Sequence, residues 1–322
     1  MMTKKWVRVL GYIGIFTLFF GLGAASKVLL EPAWAKDYQT EWNDKIGTTV
    51  SDIAYGDGEA HKFDLYLPAD KTKASYKLVV YLHAGGFTMG DKTDDREMLR
   101  WLASKGYVAA GINYTLRNEE NNASVYSQSM EIKNSMPVVI EEAKKQGYTI
   151  SEMAISGGSA GHALAMIYAY RDAKISPVPV KMVFGAVGPS SFYPEAWSNY
   201  GLDQNTEETR EAAAGLFGIM AGKTITPDMI GSPEYDEAVK DISALLWIDE
   251  DSVPSLMAYG KYDKVQPYKA SVRLQKRLEQ FNVPHDYIVL EHSGHGLQND
   301  DKEFQLYYQK IEDYLETYLP VE

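Results

Sequence analysis

The chain of 322 residues contains no cysteine. That excludes a disulfide framework, Cys-ligated zinc, iron–sulfur clusters, a thiol nucleophile and a lipidated-cysteine anchor. Basic residues are also scarce. The 32 Lys and Arg stand against 44 Asp and Glu, for a net charge of −12 with His neutral. Such a balance lacks the basic footprint that nucleic acid binding requires. There is no internal repeat and no low-complexity tract, and 45% hydrophobic with 24% charged residues suits a folded chain. At roughly 150 residues per domain, the length accommodates one large domain or two small ones.

The N-terminus is a separate object. Lys4, Lys5 and Arg8 precede an apolar run from Val9 to Ala25 in which only Thr17 is polar. A basic flank followed by such a run reads as an export signal. Its length lies between that of a cleaved signal and a spanning helix, so residues 1–35 are expected to be a signal peptide or a retained anchor. Ala33-Trp34-Ala35 offers a small-x-small cleavage site. Either way the positive flank stays inside and the remainder faces outward, giving an extracytoplasmic protein, secreted or membrane-tethered. The alternative is a buried core helix, which the basic flank disfavours. Residues 36–47 read as a polar linker and 48–322 as the catalytic domain.

Within that domain, Thr48–Tyr55 and His61–Leu67 alternate as two antiparallel strands around Gly56-Asp57-Gly58. Leu78–His83, Val108–Tyr114, Met153–Ser156, Val180–Val187, Ser255–Gly260 and His285–Glu291 read as further strands. Several are nearly continuous apolar runs, as strands buried on both faces must be. Arg96–Lys105, Ser127–Gln146 (with Pro137 as a kink or a new first turn), Ala160–Arg171, Tyr268–Phe281 and Asp301–Tyr318 read as helices. This alternation predicts an α/β fold, a mostly parallel sheet with helices on both faces. One stretch breaks the rhythm. Glu195–Asp251 holds 13 acidic and 3 basic residues, contains no convincing strand, and has helical patches such as Thr206–Met220. It reads as a helical cap inserted at about 190–250.

Ala154-Ile155-Ser156-Gly157-Gly158-Ser159-Ala160-Gly161 contains G-x-S-x-G between a strand and a helix, the context in which that motif carries a nucleophile. A serine lifted out of a sheet on a sharp turn needs neighbours without bulk two residues away on either side. The following helix N-terminus then points N–H groups at developing negative charge. The bland reading is a glycine-rich loop that binds phosphate or nothing. His83-Ala84-Gly85-Gly86-Phe87 follows another strand where an oxyanion loop belongs. His83 is expected to orient that loop and not to transfer protons.

With these residues in hand, the chain from about Thr48 to Tyr318 resembles an α/β-hydrolase of the esterase/lipase type similar to hormone-sensitive lipase. The resemblance is carried, in order, by His83–Phe87, Asn113-Tyr114, Gly157–Gly161, Gly260-Lys261-Tyr262-Asp263 and Ser293-Gly294-His295-Gly296. It implies the α/β-hydrolase fold and serine acyl transfer. Three departures stand out. Ala84 and His162 occupy usual glycine positions, and the family's Asn-Tyr-Arg becomes Asn113-Tyr114-Thr115.

Six histidines are available as base. His61 and His285 open strands, and His162 is confined to the first turn after Ser159. His292 and His295 follow the last strand, and His295, between glycines, has the reach and matches the family position. A His292/His295 metal pair lacks a third ligand, and neither metal nor cofactor is expected. Asp263, on the loop after the preceding strand, completes the order Ser…Asp…His; its alternative is an ordinary turn aspartate. Asp249, Glu250 and Asp251 precede that strand and so lie on the wrong edge. The expected site is therefore Ser159, His295 and Asp263, with the N–H groups of Gly85, Gly86 and Ala160 as oxyanion donors. The expected function is a serine carboxylesterase acting on small or carbohydrate-linked acyl esters. A serine peptidase on the same fold and a non-catalytic binding protein are the competing readings.

Overall fold

A computed structural model describes residues 32–321. The apolar run read as a signal or anchor lies outside them, and among the described residues no helix is long and apolar enough to cross a membrane. The chain divides after Gln39. Before that point Ala33–Tyr38 forms a 3-10 turn; everything below concerns the unit from Thr40 onward.

Eight strands form one sheet in the order β1-β2-β4-β3-β5-β6-β7-β8. They are β1 (Gly47–Ala54), β2 (Lys62–Pro68), β3 (Tyr76–Leu82), β4 (Val108–Ile112), β5 (Ile150–Gly158), β6 (Val180–Ala186), β7 (Ser255–Gly260) and β8 (His285–Leu290). β1 and β2 pair antiparallel, β2 meets β4 antiparallel, and β3 through β8 are parallel. The short parallel strands are mostly apolar because helices cover both faces, and every residue of β4 and β7 is buried. From β3 the chain runs first to one side, to β4, and then returns to the other side as β5. The carboxyl ends of β3 and β5 therefore flank the point where strand order reverses, where open α/β sheets place their ligand crevice.

Seven α-helices surround the sheet: α1 (Arg96–Ser104), α2 (Val125–Lys145), α3 (Ala160–Ile167), α4 (Glu207–Ala221), α5 (Pro233–Val239), α6 (Tyr268–Gln280) and α7 (Asp301–Tyr318). The segment between β6 and β7 holds α4, α5 and short 3-10 turns, with no strand.

Two helices depart notably from the sequence reading. α2 starts two residues early, because Ser124 caps it through reciprocal bonds with Ser127, and it runs through Pro137 as one helix. The helix expected over Ala160–Arg171 is α-helical only to Ile167 and then widens into a π turn over Tyr168–Asp172. There Arg171 reaches Ser129 Oγ, the Asp241 carbonyl and the Asp172 carboxylate.

Candidate active site

Leu82 and Gly157 are register partners at the ends of β3 and β5, so the loops beginning at His83 and Gly158 leave the sheet side by side. Gly260 and Leu290 are partners at the ends of β7 and β8, which does the same for the loops carrying Asp263 and His295. Four loops distant in sequence thus converge on one sheet edge.

Ser159 sits on the turn between β5 and α3 with φ 49° and ψ −115°, a backbone region that costs a non-glycine residue on the order of 1–3 kcal/mol. Its N–H is held by the Ala186 carbonyl at 2.8 Å. The flanking glycines are steric necessities. A Cβ on Gly161 would lie 1.9 Å from the Leu82 carbonyl oxygen, and one on Gly157 would lie 2.4 Å from the Gly161 carbonyl carbon.

His295 Nε2 lies 2.9 Å from Ser159 Oγ, and its Nδ1 lies 2.7 Å from Asp263 Oδ2. The Asp263 side chain is fully buried, and its Oδ1 accepts from the N–H groups of Val265 and Gln266 at 2.8 and 2.9 Å. A carboxylate so fixed accepts a hydrogen bond from Nδ1–H and holds the proton on that nitrogen, which leaves Nε2 free to accept from the serine hydroxyl. The rival acids lie elsewhere: Asp249 and Asp251 pair with Lys174. Asn199, from the β6–β7 segment, donates to the Asp263 carbonyl at 2.7 Å.

The loop after β3 curls through Gly85 (φ 122°), Gly86 (φ 60°) and Phe87 (φ 68°). A Cβ on Gly85 would meet the Met89 carbonyl oxygen at 2.0 Å, so the curl demands glycine. The N–H groups of Gly85 and Gly86 have no acceptor among the described residues. That of Ala160 opens α3 and has no intrahelical partner. His83 is buried, its ring stacks on Tyr114 at 4.3 Å, and its Nδ1 donates to the Ala84 carbonyl at 2.7 Å. Burial pushes its pKa below the ordinary value. Its Nδ1 contact lies within the loop that it begins.

Two of the departures also find their explanation. Ala84 is exposed, so its methyl meets no obstacle. His162 is wholly buried, and burial drives its pKa down to about 3. Its Nδ1 accepts from the Gly188 N–H at 3.1 Å, in space that Gly185 and Gly188 leave open. Asn113 accepts from the Lys92 N–H and donates to Asp91, bracing the segment that follows the curled loop.

Several supporting residues escaped the sequence reading. Gln128 of α2 is buried and donates through Nε2 to the carbonyls of Phe87 (2.9 Å) and Thr115 (2.8 Å), while the Arg117 N–H donates to the same Phe87 carbonyl at 3.0 Å. Asp300 braces the His295 loop, accepting from His292 N–H, His292 Nδ1 and Ser293 Oγ. His292 and His295 thus face separate carboxylates. Among the described residues no group of three or more His, Asp or Glu could hold a metal ion. A polar Gln128 on the buried stripe of α2 that also contains Val125, Ile132, Met136 and Val139 was the available signal.

Comparison with known proteins agrees with this architecture. Among solved structures, a truncated carbohydrate esterase from gut microbiota superposes with a TM-score of 0.63 at 20% identity, covering 85% of this chain and 98% of that one. Esterase B from Lactobacillus rhamnosis, in an inhibited form, gives 0.62 at 17% identity over 94% and 95%. A propionate-bound thermophilic esterase of Thermogutta terrifontis gives 0.64 at 18% over 87% and 98%. These likenesses establish the α/β-hydrolase fold. Among curated proteins, kynurenine formamidases of Salmo salar and Danio rerio are each 29% identical, over 171 and 129 residues. The matched stretches span 55% and 41% of those relatives and 53% and 40% of this chain. The BD-FAE family profile covers residues 63–278, from β2 through most of α6 and so across three of the four converging loops. The chain belongs to the BD-FAE family, and its fold is that of the α/β-hydrolases.

Proposed function

We propose that this ester hydrolase is a serine carboxylesterase working through a Ser159–His295–Asp263 triad and an acyl-enzyme, on small or carbohydrate-linked acyl esters. The observation that carries the reading is the single imidazole bonded to both partners, Nε2 to Ser159 Oγ and Nδ1 to buried Asp263. As Oγ attacks the ester carbonyl carbon, its proton passes to Nε2 and the carbonyl oxygen becomes an oxyanion. The N–H groups of Gly85, Gly86 and Ala160 receive that charge, and losing one such donor costs on the order of 3 kcal/mol. The carbon–oxygen bond to the alcohol then breaks, and the imidazolium returns its proton to the leaving oxygen. Water, deprotonated by His295, releases the acid in a second pass through the same states.

The test is hydrolysis of p-nitrophenyl esters by residues 36–322, with Ser159→Ala alongside. If the triad acts as a unit, the variant loses roughly six orders of magnitude in kcat. Activity surviving in Ser159→Ala would remove the serine from the mechanism. A second reading, a formamide hydrolase, is favoured by the curated relatives, whose names specify formamidase activity. The same nucleophile serves an aryl formamide, so kcat/KM on N-formyl anilides against acetate esters separates the two. For location we propose an extracytoplasmic enzyme, exported or held at the membrane by residues 1–35. Fractionation of cells expressing the full chain and a 36–322 form tests this; equal recovery of both in the cytoplasm would refute it.

A further inference from the structure

A cavity of about 110 Å³ opens beside the curled loop, walled almost wholly by apolar surface. Gly86 and Phe87 form one wall, Val125 at the start of α2 a second, and Leu216, Ile219 and Met220 of α4 the roof. Leu216 stands one helical turn from Ile219 and Met220 on one stripe of α4, next to the stripe that buries Ala213, Ala214 and Phe217. No residue of the loops carrying Asp263 or His295 lines the cavity.

That last fact decides which half of an ester belongs there. The leaving oxygen must receive its proton from His295 Nε2, so it has to lie within hydrogen-bond reach of that atom. The alcohol therefore departs along the His295 loop. The acyl substituent is the remaining group on the carbonyl carbon; it diverges from both the leaving oxygen and the oxyanion and lies away from the His295 loop, on the side where Gly86 borders the cavity.

We propose that this cavity is the acyl pocket, that it takes straight saturated chains up to about four carbons, and that Leu216, Ile219 and Met220 set that limit; the assignment rests on the serine esterase reading. The size argument is by comparison: an engineered apolar cavity of about 150 Å³ binds benzene. This one is smaller and partly open, which suits a short chain better than an aromatic ring. Each methylene accommodated is worth about fourfold in kcat/KM through apolar burial, and each one beyond the limit must displace side chains or return to water.

The experiment measures kcat/KM for p-nitrophenyl acetate, propionate, butyrate, hexanoate and octanoate. Alongside, methyl, ethyl and benzyl acetate vary the alcohol at fixed acyl group. The wild type should climb about fourfold per methylene to butyrate and then fall. Leu216→Ala should raise the octanoate-to-butyrate ratio at least tenfold, and Leu216→Trp should lower the butyrate-to-acetate ratio by a similar factor. Neither should reorder the alcohol series. An acyl profile unmoved by both variants, or a shift in the alcohol series instead, overturns the assignment while leaving the esterase intact. If the wild type hydrolyses none of these esters and a fluorophosphonate fails to label Ser159, the esterase reading itself has failed, and labelling tells the two failures apart.

Discussion

Gln128→Met separates catalysis from stability in this protein. The wild-type amide bonds two carbonyls through Nε2, while its buried Oε1 has no partner. Methionine keeps the length and removes both the donor and that unpartnered acceptor. Two hydrogen bonds at about 1 kcal/mol each are lost, and Thr115, left without its donor, adds about 1–3 kcal/mol. Removing the unpartnered oxygen returns about 1–3 kcal/mol. The net cost is therefore about 2 kcal/mol, or a fall in Tm of roughly 4–8 °C. Activity should suffer far more. Phe87 holds φ 68° against strain of about 1–3 kcal/mol, and its carbonyl would retain only the Arg117 bond. Relaxation there swings the neighbouring peptides and takes an oxyanion N–H out of line, which costs about 10²–10³ in kcat. The assay is steady-state hydrolysis of p-nitrophenyl acetate paired with thermal unfolding of the same preparation. A kcat within threefold of wild type would refute the claim that Gln128 holds the oxyanion loop in register. A large loss of kcat with Tm down by 20 °C would mean a general collapse instead.

Why such a residue escapes the sequence is instructive. β7 at Ser255–Gly260 and α7 at Asp301–Tyr318 fall where the apolar pattern puts them, because local periodicity alone defines their faces. β5 does not. The pattern predicts Met153–Ser156, yet the strand runs from Ile150 through Gly158, because pairing of Gly157 and Gly158 with Gly185 and Ala186 recruits residues that look like loop. Ser159, Asp263 and His295 were legible because chain order and the parallel sheet force their loops to one edge, where the three side chains are hydrogen-bonded in series. Gln128 and Arg117 act on backbone carbonyls, and Asp300 in part on a backbone N–H; such groups carry no identity in a sequence. Their roles follow from a curl in the chain, not from a residue type.

The same logic yields further outcomes. Gly161→Ala places a methyl 1.9 Å from the Leu82 carbonyl oxygen, so the elbow must open; urea titration should show a loss of at least 3 kcal/mol, and esterase activity should fall with it. Asp300→Ala frees three donors on the His295 loop and should lower kcat about 10–100-fold with KM nearly constant; an unchanged kcat would show that the loop needs no brace. Two groups, buried His162 and partly buried Asp95, make stability depend on pH in opposite senses. Burial holds His162 near pKa 3 in the folded state, against 6.5 unfolded, so its contribution is complete above pH 6.5 and drains away as pH falls toward 3. Burial, assisted by Asp94, raises Asp95 to about 7 from 3.8, so the folded state holds that proton more tightly. Its contribution is complete below pH 3.8 and is lost as pH rises to 7. Across the shared window the two oppose each other, and Asp95→Asn removes one of them. The stability of Asp95→Asn relative to wild type should therefore grow by about 2–3 kcal/mol between pH 4.5 and 6.5, at up to about 1.4 kcal/mol per pH unit. Urea midpoints for both proteins at half-unit steps measure it. Parallel curves would mean that Asp95 ionises freely at the start of α1 and is not held protonated by its surroundings.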